Sequence, residues 1–218
     1  MIKLKTCLVL GVLLLISLSS CKKRVTMESG RIDIISNVYM DASKELSEPL
    51  SFHVSSLNFL GSSILELVPE SIHSESVSAA HIIKDTLFRS IKGTDKGKRL
   101  SVYEKKSGAL FLKDRIPNYD HRVNLSDTLL FKKRYKRFEV RYGGSFSRYY
   151  VLKTDTILPY SLYGHVEKAY GGRIERIDSY DPRRDIFVTT QLFLKQNWDE
   201  RAKDLWSEEL HKSLQVNK

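Results

Sequence analysis

The chain has 218 residues, 41% of them hydrophobic and 28% charged, and it carries a formal net charge of +10. Its two cysteines are Cys7 and Cys21, so everything beyond residue 21 is without a disulfide framework, a thiolate metal site or a cysteine nucleophile. The charge is uneven: residues 22–80 hold 5 basic and 8 acidic side chains, and residues 81–218 hold 29 and 18.

The N-terminus opens with Lys3 and Lys5, continues with an apolar run from Cys7 to Leu18, and ends in small residues, Ser17, Ser19 and Ser20. This is the order of an export signal. The run of 12 residues is short of the ~20 that a membrane-spanning helix needs. Next comes Leu18-Ser19-Ser20-Cys21, which resembles the lipobox of bacterial lipoprotein precursors at all four positions. That resemblance implies a diacylglyceryl group on the Cys21 sulfur, cleavage just before Cys21 and acylation of the new N-terminus. Two or more acyl chains hold a protein stably on a bilayer, at ~0.8 kcal/mol per buried CH₂. Lys22, Lys23 and Arg24 add attraction to anionic headgroups. Lipoproteins retained at the inner membrane tend to carry an aspartate after the cysteine. This chain has Lys22, so the resemblance implies the outer membrane of the cell envelope.

The expected organisation is a cleaved signal over 1–20, a lipidated tether over 21–31 and a single β-rich globular domain over 32–218. Residues 50–54 alternate Leu50, Phe52 and Val54 against Ser51 and His53, as a half-buried strand does. Residues 98–106 and 108–114 are further strand candidates. Ala79, Ala80, Ile83, Leu87 and Ile91 fall on one helical stripe, which predicts a helix near 77–91 stopped by Gly93. Trp198, Ala202, Leu205, Trp206, Leu210 and Leu214 share a second helical face, predicting a closing helix over 198–215 with Asn197 as N-cap. The expected fold class is α+β: a mostly antiparallel curved sheet or open barrel built of hairpins, with these two helices.

Residues 138–148 and 166–176 echo each other around Tyr-Gly-Gly. Gly-Gly between alternating segments signals a two-residue hairpin, because primed turns need positive φ. The first hairpin then pairs Glu139 with Arg148 and Phe138 with Tyr149, with Phe138, Val140, Tyr142 and Tyr149 toward the core and Glu139, Arg141 and Arg148 wet. The second pairs Glu167 with Arg176. Asp181-Pro182 predicts another turn, which would bring Tyr180 near Ile186.

The chain contains no HExxH, GxSxG, GxGxxG or phosphate-loop motif, and no cofactor or metal is implied. Residues 132–180 interleave Arg and Lys with tyrosines, a texture that suits bidentate and stacking contacts to anionic glycans or lipids. The candidate ligand-binding residues are Arg141, Arg148, Tyr150, Arg173 and Arg176. An exported protein meets little nucleic acid, so the expected partners are the membrane, through the lipid anchor, and an anionic glycan, cell-wall polymer or lipid. The first functional reading is a non-catalytic binding or scaffolding lipoprotein. One alternative is an envelope hydrolase using His121 or His165 with a carboxylate. Another is a lipid carrier, which requires an apolar cavity of several hundred Å³.

Overall fold

The computed structural model describes residues 24–44, 48–71 and 76–216. The export signal, Cys21, Lys22 and Lys23 lie outside the described residues. Among the described residues, eleven strands form one antiparallel, curved and unclosed sheet. The first half of the chain is a meander that grows toward one edge: β2 (Ser29–Met40), β3 (Leu50–Leu60), β4 (Ser63–Pro69), β5 (Val77–Lys84), β6 (Leu87–Lys92) and β7 (Arg99–Ser101). The second half starts at the other edge and returns to the centre: β8 (Val123–Leu130), β9 (Lys133–Tyr142), β10 (Ser145–Lys153), β12 (Gly172–Asp181) and β13 (Ile186–Lys195). β13 pairs with β2, which joins the halves. A short parallel ribbon, β1 (Val25–Thr26) with β11 (Thr156–Ile157), stands apart. Helix α1 (Gly164–Tyr170) covers the concave face, and α2 (Glu200–Val216) covers the convex face.

The curved antiparallel sheet and the closing helix agree with expectation; the helix near 77–91 does not. That stretch is β5 and β6, folded back at Asp85-Thr86, where Asp85 has φ 56°. The reason is double burial. Ile83 of β5 packs into the concave core with Leu57, Phe59 and Phe88, while Val77 and Ala80 pack against Ala202 of α2. A strand buried on both faces loses its alternation, and apolar residues on both sides can imitate a helical stripe.

The hairpin centred on Gly143-Gly144 has the expected register, with Arg148 opposite Glu139 and Tyr149 opposite Phe138. Both glycines have positive φ, 53° and 89°. Phe138 and Tyr149 stack at 4.7 Å between ring centroids. Two side chains depart from expectation. Tyr142 lies beyond the covered part of the concave face and is 72% exposed. Glu139, expected to be wet, is 5% exposed because Arg141 and Arg148 close over it at 2.8 and 2.7 Å.

The second Tyr-Gly-Gly forms no hairpin. Residues 164–170 are helical, and Gly171 ends the helix in the left-handed region at φ 61°, its N–H bonded to the Glu167 carbonyl. One sequence signal therefore serves two structures: a glycine that reaches positive φ suits a primed turn and a helix C-terminus equally. The Asp181-Pro182 turn is also wider than expected, with Asp181 facing Ile186 and Tyr180 facing Phe187.

Other departures are local. Residues 108–114 are irregular, and 98–106 holds only the short β7 followed by a 3₁₀ turn, Val102–Glu104. The expected tether is already in strand pairing at β1, and β2 begins at Ser29. α2 is capped by Asp199, whose Oδ1 accepts from the Arg201 N–H at 3.1 Å; Asn197 does not hold that place. Trp198, Ala202, Leu205 and Trp206 seat α2 on Leu65 and Leu67 of β4, and the Trp198 indole donates to the Phe59 carbonyl at 3.0 Å.

Candidate functional site: a strapped cavity on the concave face

β7 and β8 lie at opposite edges of the sheet, so the connection 102–122 has to cross its concave face. This strap is held from below by a buried carboxylate. Glu66 of β4 is fully buried and accepts from the Ser55 hydroxyl at 2.7 Å, from the Ala109 backbone N–H at 2.6 Å and from the Lys105 ammonium. Its four-way acceptor capacity is thereby largely used. Gly108 is required at this latch: its φ is +78°, and a Cβ there would collide with Glu66 Oε1 and with Val68 Cγ2. Burial lowers Lys105 below an ordinary lysine, and the charge and hydrogen bond of Glu66 oppose that shift.

The connection from β10 to β12 supplies a second strap, which carries β11 and α1. Tyr160 in this strap donates to the Leu110 carbonyl at 2.9 Å and meets Phe111 edge-on at 5.2 Å. The two straps thus support one another above the sheet. Between them and the floor lies a cavity of about 430 Å³. The deep part is apolar, with Ile34, Leu192, Val54 and Ile177. Across it run four hydroxyls on neighbouring strands, Ser36, Thr190, Ser179 and Ser147, and the last two are 2.8 Å apart. The side chains lining the cavity include no Asp, Glu, Lys, Arg or His.

Past the hydroxyls, strand register continues the same face through Val38, Val188, Met40, Ile186, Leu50 and Phe52. Met40, Leu50 and Phe52 are exposed. The sequence placed Leu50, Phe52 and Val54 together on one inward face. All three do belong to the concave side, but only the part under the straps is covered. Val54 lines the cavity at a bulge in β3, where the ladder shifts between Ile34 and Ile35.

Arg148, Tyr150, Arg173, Arg176 and Arg141 gather on the opposite, convex face, and each arginine already holds an internal carboxylate. Arg141 and Arg148 hold Glu139, Arg173 holds Glu175 at 2.6 Å, and Arg176 holds Asp178 at 2.6 Å. Burial alone would raise Glu139 and Glu175, but the arginine hydrogen bonds outweigh it and keep both below an ordinary carboxylate. An anionic ligand here would have to compete with these partners. The Arg176 guanidinium lies 5.6 Å from the Tyr150 ring, so the expected Arg–Tyr texture exists, used internally.

Of the histidines weighed for catalysis, His121 is exposed, and His165 stands edge-on to Tyr119 at 4.7 Å with its buried Nε2 unpartnered. Neither ring bonds a carboxylate or serine among the described residues. Sequence reading passed over His53, whose Nε2 is 3.0 Å from the Ser56 hydroxyl, which in turn donates to Asp33 at 2.7 Å. The carboxylate here engages the serine itself, whereas nucleophile activation needs it on the far nitrogen of the imidazole. Ser56 is also buried. Among the described residues no cluster of three His, Cys, Asp or Glu side chains could hold a metal ion, and no helix is long and apolar enough to cross a membrane.

His81 sits below the strap beside Phe88, and both its ring nitrogens are buried without partners. Burial lowers its pKa from the ordinary 6.5, as it does for His165. A lowered histidine favours folding fully above the unfolded pKa and less as pH falls toward the folded one. Stability is therefore expected to decline below about pH 6.5, by at most about 1.4 kcal/mol per pH unit per group. Urea melts of His81→Leu at pH 7.5 and 5.5 should show a shallower decline than the unsubstituted protein.

Comparison with known proteins gives partial structural similarity only. No protein-family model matches the chain. No curated protein matches it either. Among solved structures, LprF from Mycobacterium bovis is similar over 79% of this chain and 88% of its own, at 8% identity and a TM-score of 0.32. A DUF1329 family protein from Desulfovibrio piger is similar over 78% of this chain and 86% of its own, at 10% identity and a TM-score of 0.31.

Proposed function

We propose that this chain is an exported lipoprotein, anchored in the outer membrane through acyl groups on Cys21, that binds the acyl chain of a lipid on its concave face without catalysing a reaction. The strapped cavity of about 430 Å³ carries this reading, because its volume lies within the range of ligand pockets and its lining is uncharged, aliphatic side chains with Ser, Thr and Tyr hydroxyls. A methylene fills about the ~30 Å³ that a water molecule takes in the liquid, so the volume matches one chain of about fourteen carbons. The hydroxyl strip lies where an ester or hydroxyl at the head of such a chain would end. A charged headgroup belongs beyond the strip, because no cation lines the cavity and an unpaired charge there would be desolvated.

Two measurements test this. Cys21→Ser should move the protein from the membrane fraction to the aqueous fraction, and the native N-terminal peptide should begin at an acylated Cys21. Native mass spectrometry of the detergent-exchanged protein should retain one bound single-chain lipid. Chain lengths from eight to eighteen carbons should bind about fourfold more tightly per methylene up to about fourteen, then level off. A fully aqueous wild-type protein would remove the anchor. Failure to bind any chain length would remove the carrier reading.

A further inference from the structure

The turn between β8 and β9 is Phe131-Lys132, with φ of 50° and 64°. A two-residue turn of this kind normally uses Asn-Gly or Asp-Gly, because both central residues need positive φ. Two bulky side chains held there are strained, and such strain persists where surrounding structure imposes it and often marks function. Phe131 is 69% exposed and Leu129 is 70% exposed. Around them stand Lys132, Lys133 and Arg134, all exposed; Lys133 pairs with Glu175 at 3.1 Å and Arg134 with Asp127 at 3.2 Å, and Lys132 holds no carboxylate among the described residues. An aromatic residue at a tip ringed by cations combines apolar insertion with attraction to anionic lipid.

Register shows which end of the sheet carries this tip. Lys133 opens β9, and Tyr135 faces Leu152 near the end of β10. Lys153 faces Gly172 at the start of β12. Lys195 closes β13 opposite Arg31, near the start of β2. Arg24 and Arg173 line one small cleft, which puts the first described residue at this same end. The exposed continuation of the concave face, Met40 and Leu50, lies at the other end, one length of β2 away. At ~3.3 Å per residue its 12 residues span about 36 Å.

We propose that Phe131 and its flanking cations form a second membrane contact, which lays the β8–β9 end of the sheet on an anionic bilayer and points the open end of the concave face away from it. The contact rests on the tip's own geometry. Its orientation agrees with an anchor at Cys21, three residues before Arg24.

The test places an environment-sensitive thiol dye at Phe131→Cys, with Tyr142→Cys at the opposite end as control, in the lipidated protein. The proposed thioether at Cys21 leaves no competing thiol. Vesicles of phosphatidylcholine with phosphatidylglycerol are compared with phosphatidylcholine alone. On anionic vesicles the label at 131 should shift to the blue and be quenched by a lipid-borne quencher, while the label at 142 stays water-like. Adding Lys132→Gln should lower the docked-to-undocked ratio about fivefold, from roughly 1 kcal/mol for that cation. Protein that sediments with anionic vesicles while the label at 131 stays water-like overturns the contact and leaves the anchor standing. A label at 142 that enters lipid overturns the orientation. Protein that fails to sediment with either vesicle overturns both the contact and the anchor.

Discussion

Glu66→Ala should destabilise the domain by about 3–5 kcal/mol, the usual penalty for leaving one partner of a buried ion pair behind. Three groups lose their acceptor together: the Lys105 ammonium, the Ala109 N–H and the Ser55 hydroxyl. Lys105 is almost as buried as Glu66, with 4% of its side chain exposed, so water cannot easily replace the carboxylate. Against a typical total stability of about 5–15 kcal/mol, this loss brings the protein near unfolding. Urea denaturation at pH 7.5 measures it. The double variant Glu66→Leu with Lys105→Met should recover part of the loss, because it removes the stranded ammonium while the Ala109 N–H and the Ser55 hydroxyl stay without their acceptor. If Glu66→Ala melts within about 1 kcal/mol of the unsubstituted protein, the latch does not hold the strap. Hydrogen exchange should place the first opening in residues 102–118, where the strap's tie to Glu66 is cut.

Thr190→Trp should weaken ligand uptake about 100-fold while sparing the fold. Thr190 stands on the floor of the cavity between Ser36 and Ile177. An indole there occupies space equal to three or four methylenes, so an acyl ligand should lose about 100-fold in affinity at ~0.8 kcal/mol per excluded CH₂. Displacement of a fluorescent fatty-acyl probe reads the affinity, and thermal unfolding reads the fold. The larger ring enters a void that already exists, so the destabilisation should stay below the ~1–3 kcal/mol of ordinary overpacking. Equal probe affinity in both proteins would show that ligand binds somewhere other than this cavity.

The contrast between the two substitutions follows from what each side chain does. Glu66 fastens the lid of the cavity, and Thr190 forms part of its floor. Neither position had a sequence signature. Glu66 sits within "ILELV", where one acid in an apolar strand looks like the solvent side of an alternation. It is buried because the strap brings Lys105 and the Ala109 N–H from about forty residues away. Sequence pattern describes neighbours along the chain, and this carboxylate is satisfied by groups far along it.

Local chemistry settled the parts of the fold whose causes are themselves local. The turn at Gly143-Gly144 fixed a register that placed Arg148 against Glu139, and the stripe from Trp198 to Trp206 formed a helix with one apolar side. The charged, apolar and small-residue order of the first 21 residues likewise belongs to the sequence alone. Tertiary structure decided the rest. It divided residues 77–91 between two strands, because α2 and the concave core bury both faces of β5. It made one Tyr-Gly-Gly a turn and the other a helix end, since positive φ is compatible with both. It also created the cavity: a chain that leaves β7 at one edge and resumes at β8 on the other must cross the concave side, and what it crosses becomes enclosed.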